Sequence, residues 1–305
     1  MTSVLTDTGT RAVARDARPS PRSGGRTPRI VRFLKRLPLY VLVGVLLVIV
    51  AYPLLWVLLG SFKTQHEFLN EPFWSLPAHW DFANYVSAFQ QADLGQYILN
   101  SVLTVIPSLL IALTVGVAAG FGLEVMVWKG RGGVLLYFLA GIMVPGQMLL
   151  LPLFTIYFHL GLTGTLWPLI ITYTVMAIPL TVFMTATYFR AVPRELFEAS
   201  TLDGASILRS FWSVGIPVVR NAIVTVGLVQ FFLLWNDLLI ALTFTNNESL
   251  RTLQVGLLNF TGQYGSVQYG PLFAAICVSI FGILVLYLFL NKQVIRGMAA
   301  GSVKG

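Results

Sequence analysis

The sequence predicts an all-α polytopic membrane protein with six transmembrane helices. Three observations predict it: 56% of the 305 residues are hydrophobic, only 10% are charged, and the apolar residues fall in runs long enough to cross a bilayer. An average soluble domain is roughly a quarter charged, and a spanning helix needs about 20 apolar residues.

The first run, Leu39 to Leu59, has no charge in 21 residues. It is too long for the core of a cleaved signal peptide and no small-residue cleavage pattern follows it, so it reads as a retained span. The other runs are Tyr97 to Val127, Val134 to Tyr157, Leu166 to Phe189, Ile216 to Phe244 and Pro271 to Leu290. Pro53, Pro107, Pro145, Pro152 and Pro179 fall within these spans, where neighbouring helices can re-satisfy the freed backbone groups, and they predict kinks.

The net charge of +8 belongs mainly to one end, because nine of the twenty Lys and Arg residues lie between Arg11 and Arg36. With Ser, Pro and Gly around them, residues 1–36 are expected to be a disordered basic arm, and a nucleic-acid partner is not expected. A membrane domain then occupies 37–291, with a loop at 190–217, and 292–305 form a tail. Basic residues collect in cytoplasmic loops. The arm, Lys129, Arg131, Arg190, Arg194, Arg209, Arg220, Lys292, Arg296 and Lys304 fall on one face, leaving Lys63 and Arg251 on the other. Both termini of this multi-pass chain are therefore expected in the cytoplasm, with the chain in the cell (plasma or inner) membrane.

Catalytic signatures are missing. The five lysines follow Leu34, Phe62, Trp128, Asn291 and Val303, so none completes a Gly-Lys phosphate loop. His66-Glu67 opens like a zinc-protease helix, but Asn70 stands where the second His belongs. No Gly-x-Ser-x-Gly elbow is present, and the lone Cys277 offers neither disulfide nor metal framework. No catalytic residue, metal or cofactor is expected in this chain, which is read as not an enzyme.

The most informative stretch is Pro193 to Pro217, PRELFEASTLDGASILRSFWSVGIP. Pro193 suits a first helical turn, Glu195 and Glu198 complement the positive end of the helix, and Gly204 permits a sharp turn. A second helix from about Ser206 would carry Ile207, Leu208, Phe211 and Trp212 back toward the membrane. The plain alternative is an amphipathic interfacial loop. However, Glu198-Ala199-Ser200-x-x-Asp203-Gly204-Ala205 followed by Ile216-Pro217 resembles the EAA loop of binding-protein-dependent ABC importer permeases. Ser200 replaces the usual second Ala, and Asn221 stands where a further Pro is common.

The resemblance covers nearly the whole chain beyond the arm and is nearest to the second permease of carbohydrate importers, the maltose-permease type. It extends to Pro152-Leu153-Phe154 with Leu160 to Thr165, and to Trp235-Asn236-Asp237 followed by Thr252 to Leu257. It implies a type I permease fold in which Glu198, Ala199, Ser200, Asp203, Gly204 and Ala205 form a coupling helix docked on an ATPase dimer that holds ATP and Mg. It also implies a heterodimer with a second permease, an extracytoplasmic sugar-binding protein, and a mono-, di- or oligosaccharide cargo. The terminal Arg296 to Gly305 resembles a tail inserted between the ATPases, with Gly301, Val303, Lys304 and Gly305 at its end.

Asn259, Gln263, Tyr264, Gln268 and Tyr269 offer amide and aromatic groups that suit a sugar or its binding protein, or simply form a polar solvent loop. Gln147, Asn236 and Asp237 could line a path, since polar groups in a membrane must be satisfied; structural hydrogen bonds are the other reading. The small residues Gly116 to Gly120 read as helix packing. Two rivals remain open at this point, an ion-driven secondary transporter, although the spans hold almost no ionisable residue, and a membrane assembly subunit.

Overall fold

The computed structural model describes residues 29–72, 74–90, 93–261 and 266–302, with side chains between 36 and 289. Positions 1–28 of the expected 1–36 arm, the candidate residues Gln263 and Tyr264, and the tail residues Val303, Lys304 and Gly305 lie outside the described residues.

Helix α1 covers Arg29–Gly60, so it begins inside the stretch assigned to the arm. Arg, Lys and Leu are good helix formers, and high charge alone does not prevent a helix from extending out of an apolar run. From Leu37 to Val50 its large apolar side chains are exposed, as lipid-facing ones are. Two short helices follow, α2 at Gln65–Asn70 and α3 at Ala83–Gln90, and then the long α4 at Leu94–Glu124.

Helix α5 (Arg131–Met143) is followed by a 3₁₀ turn at Gly146–Leu149 and α6 (Leu150–His159). Helix α7 is Trp167–Arg190. The next loop holds α8 (Glu195–Leu202) and α9 (Ile207–Ser210), and a π turn at Phe211–Gly215 carries α9 into α10 (Ile216–Trp235). The chain ends with α11 (Leu239–Phe244), α12 (Leu253–Gly256) and α13 (Tyr269–Ser302).

Among the described residues five helices are long and apolar enough to cross a membrane, and a sixth span results if α5 and Gly146–His159 count as one. That pair is bent by 85°, whereas the sequence suggested a single kinked span from Val134 to Tyr157. Val144 and Pro145 are extended, with ψ of 116° and 119°. Proline has no N–H and disfavours helical geometry in the residue before it. Pro107 and Pro179, by contrast, sit inside unbroken α4 and α7. The fifth run is also interrupted, since α10 stops at Trp235 and the chain resumes as α11 at Leu239. At the other end α13 runs past position 292 to Ser302, because the end of an apolar run is not a helix stop and no proline intervenes.

The main helix pair is α4 against α7. A Cβ at Gly116 would overlap Thr181, and one at Gly120 would lie 2.9 Å from the Ala186 backbone nitrogen, so these glycines let the two backbones meet. Thr185 Oγ1 donates to Gly116 O at 3.0 Å, Ser108 Oγ to Ile170 O at 3.0 Å, and Gln230 Nε2 of α10 to Ala177 O at 2.8 Å. The small-residue packing read from the sequence is thus the α4–α7 seam.

The segment after α1 is held by its polar groups. Asn84 Nδ2 donates to Ser61 O and Lys63 O, each at 3.0 Å, and buried Lys63 donates to Ser75 Oγ at 2.7 Å. Thr64 and Glu67 cap α2 reciprocally. Burial alone would raise the Glu67 pKa, but N–H donors of Thr64 (2.6 Å) and Ala78 (2.7 Å), the Thr64 hydroxyl and nearby Lys63 together hold it below the usual carboxylate range.

Two outcomes follow for the purified protein in detergent. Gly120→Val should lower the thermal unfolding midpoint by an amount equivalent to about 1–3 kcal/mol, through overpacking of the α4–α7 seam. For Glu67 the folded pKa is depressed, so its stabilising contribution is complete above the ordinary carboxylate range and is lost as pH falls through the lowered value. Acid titration of the unfolding midpoint should therefore be shallower in Glu67→Gln than in the native chain.

Candidate functional site

Helix α8 has Glu195 and Glu198 in its first turn, where the helix dipole favours negative charge. It ends in a left-handed turn at Gly204, φ +80°, closed by hydrogen bonds from Asp203 N to Ala199 O, Gly204 N to Thr201 O and Ala205 N to Ser200 O, each 3.0 Å. A glycine adopts this conformation without the Cβ penalty. Ser206 then caps α9, accepting the Arg209 N–H at 3.3 Å. The second helix of the expected pair is not separate: α9 runs through the π turn into α10 as one continuous span from Ile207 to Trp235. No proline stands between Ile207 and Ile216, and Pro217, which has no N–H to pair, comes directly after the π turn, in the first turn of α10.

The elbow is anchored at its base and free at its tip. Phe121 of α4 makes edge contacts with Phe189, Phe197 and Phe211, with ring centroids 5.1–5.7 Å apart. Arg190 pairs with Glu124, its Nε donating to Oε2 at 3.2 Å. Ser200 and Ser210 share a 2.6 Å hydroxyl hydrogen bond that ties α8 to α9. At the tip, Glu198, Ala199, Asp203 and Gly204 are exposed, and Leu202 (89%), Ile207 (60%) and Leu208 (67%) present apolar side chains. Ser200 and Ala205 are half-buried. The Glu198 carboxylate has no hydrogen bond or ion pair among the described residues, and Glu198 lines a cleft of about 360 Å³ with Phe121, Glu124, Arg190 and Phe197.

The candidate path residues separate. Asp237, between α10 and α11, lines a cavity of about 750 Å³ with Tyr137, Phe138, Tyr173 and Gln230. Its Oδ2 accepts from the Tyr173 hydroxyl at 2.9 Å and from Ala241 N at 3.0 Å. Gln147 and Asn236 are exposed and do not line this cavity; Asn236 Nδ2 donates to Phe232 O at 2.8 Å. Sequence reasoning did not single out Tyr173 or Gln230, although a lone Gln in the apolar run of α10 was a signal.

In the Thr245 to Gly270 segment, Asn259 donates to Tyr97 Oη at 2.6 Å and accepts from Arg251, so both ends of its amide are used within the protein. Tyr269 stacks on Phe68 at 5.2 Å and its N–H is bonded to Gln65. Gln268 is exposed. Gly301 lies on the last turn of α13.

Comparison with known proteins agrees with this arrangement. The family described as binding-protein-dependent transport system inner membrane component matches residues 112–296. The chain is 34% identical to the probable ABC transporter permease protein YurM of Bacillus subtilis, over 91% of this chain and 92% of the relative. It is also 34% identical to the diacetylchitobiose uptake system permease protein NgcG of Streptomyces coelicolor, over 84% and 85%. A chain from the crystal structure of a bacterial ABC transporter involved in the import of the acidic polysaccharide alginate superposes with a TM-score of 0.73 at 20% identity, covering 88% of this chain and 97% of that one.

The geometry of the elbow yields a further measurable outcome. Ser200→Ala and Ser210→Ala should be non-additive in a double-mutant cycle of thermal stability, with a coupling of about 0.5–1.5 kcal/mol, as befits one shared hydrogen bond.

Proposed function

The chain belongs to the binding-protein-dependent transport system inner membrane component family, and from that premise we propose that it is a sugar-carrying permease subunit of an ATP-driven ABC importer. The observation that carries the reading is the elbow: the EAA-like residues Glu198 to Ala205 stand exposed on a protrusion whose base is packed into α4, α7 and α10. Such a protrusion is a lever. An ATPase that grips Leu202, Ile207 and Leu208 moves, through Phe197, Phe211 and the Ser200–Ser210 bond, the three helices that wall the Asp237 cavity or pack beside it.

A ligand shifts a conformational equilibrium only through contacts that differ between its states. In this reading nucleotide-driven closure of an ATPase dimer supplies those differential contacts, and the nucleotide and its Mg stay on the partner. The elbow and both termini face the cytoplasm, supported by the segregation of Arg and Lys onto one set of loops. A second permease completes the pathway and an extracytoplasmic binding protein delivers the cargo. A sugar is favoured because the relatives include a diacetylchitobiose permease, and because the path residue Asp237 is a hydrogen-bond acceptor rather than a coupling-ion cluster.

The test is uptake by cells or vesicles carrying Glu198→Lys or Gly204→Asp. Both variants should reach the membrane in normal amount and transport nothing, and affinity purification of the native chain should bring down an ATPase whose hydrolysis rises with sugar-loaded binding protein. Native transport rates in both variants would remove the coupling role.

A further inference from the structure

The 750 Å³ cavity beside α5, α7 and α10 has an unusual charge balance, and we propose that it is a saccharide subsite selecting uncharged over acidic sugars, with Asp237 as its hydroxyl acceptor. The inference rests on the importer reading above and specifies the cargo of that path.

Three observations carry it. First, the carboxylate is the only charged group among the described residues that line the cavity; no Lys, Arg or His faces it. The remaining wall is apolar or aromatic, apart from the hydroxyls of Tyr137 and Tyr173 and the Gln230 amide. An acidic sugar entering here would set its anion against Asp237 between low-dielectric walls, where like charges repel more strongly than in water. A neutral sugar would instead donate hydroxyl protons to the carboxylate and lay its C–H face on the rings of Tyr137 and Phe138.

Second, the carboxylate is divided between two tasks. Both protein hydrogen bonds, from Tyr173 Oη and Ala241 N, end on Oδ2, and Oδ1 receives none among the described residues. Asp237 is half-buried, so the bracing fixes the side chain while one oxygen stays available. Ionisable residues at membrane depth are expensive and generally functional. Tyr173 lies about 9 Å along α7 from Trp167, inside the span rather than at its rim.

Third, the cavity lies where both neighbouring spans are broken. Val144 borders it at the α5 bend, and Asp237 itself sits in the gap between α10 and α11. Irregular backbone at membrane depth is tolerated where it is buried in protein or lines a water-filled cavity, and transporter sites are commonly built from such interrupted helices.

The experiment uses the assembled complex in proteoliposomes, with both permeases, the ATPases and the binding protein. Stimulated ATP hydrolysis and uptake are measured with maltose, cellobiose and diacetylchitobiose as neutral probes and digalacturonate as the acidic one. Stimulation is expected from neutral probes alone. For the best of these, Asp237→Asn should lower uptake at least about tenfold, the scale of losing a hydrogen bond to a charged acceptor. Its thermal stability should stay native, because the Asn carbonyl can still accept from Tyr173 and Ala241. As a direct readout, Leu233→Cys, in a Cys277→Ser background, should be protected from maleimide by that sugar, and protection should vanish with Asp237→Asn. Equal stimulation by digalacturonate, or unaltered uptake and protection in Asp237→Asn, overturns the inference and leaves the permease assignment standing. A complex that no sugar stimulates removes the sugar reading and this inference together.

Discussion

Inside hydrocarbon an unpaired backbone amide or carbonyl costs several kcal/mol, so this chain can leave helical geometry only where other protein groups take over the freed bonds. The fold follows that constraint closely. Where α10 stops, the Asp237 carboxylate receives the Ala241 N–H and so starts α11. Where α5 stops, the missing donor is proline's own, and a 3₁₀ turn resumes the pairing within a residue of Pro145. Both breaks border the cavity that Val144 and Asp237 line, so polar atoms reach it without a span being unfolded.

Between those breaks and the elbow the helices are closely packed and cross-bonded. The α4–α7 seam relies on side-chain absence at Gly116 and Gly120, and hydroxyls of Thr181 and Thr185 fold back on nearby carbonyls instead of seeking water. Gln230 crosses from α10 to the same stretch of α7. A displacement at Phe197 and Phe211 therefore reaches α4 through Phe121 and α10 through continuous helix, with few soft contacts in which to dissipate. Packed interiors of this kind shift between discrete arrangements rather than deform smoothly.

Much of this was legible in the residues. Composition and run length reveal the spans, because lipid imposes one requirement on every spanning helix, and the Glu198 to Ala205 elbow is written in local turn chemistry that Gly204 satisfies with its positive φ. What remained hidden depends on distant partners. The Tyr173–Asp237 bond joins residues 64 positions apart, and the two Asn259 amide contacts reach Arg251 and Tyr97, so a residue that looked free for a ligand is occupied. The bend at Pro145 and the unbroken helices at Pro107 and Pro179 differ in surroundings rather than in residue type. The merging of α9 into α10 is not legible locally, because a pair of short helices and one long helix have the same residue preferences.

The π turn at Phe211–Gly215 has an evolutionary implication. It accommodates an additional residue in the winding of a helix that otherwise advances about 100° per residue. Everything on the elbow side is thus set out of phase with the cavity-facing residues of α10 by one such increment. Loss of a single codon there would restore regular winding and swing the exposed tip to a different compass bearing while leaving the α10 wall of the Asp237 cavity unaltered.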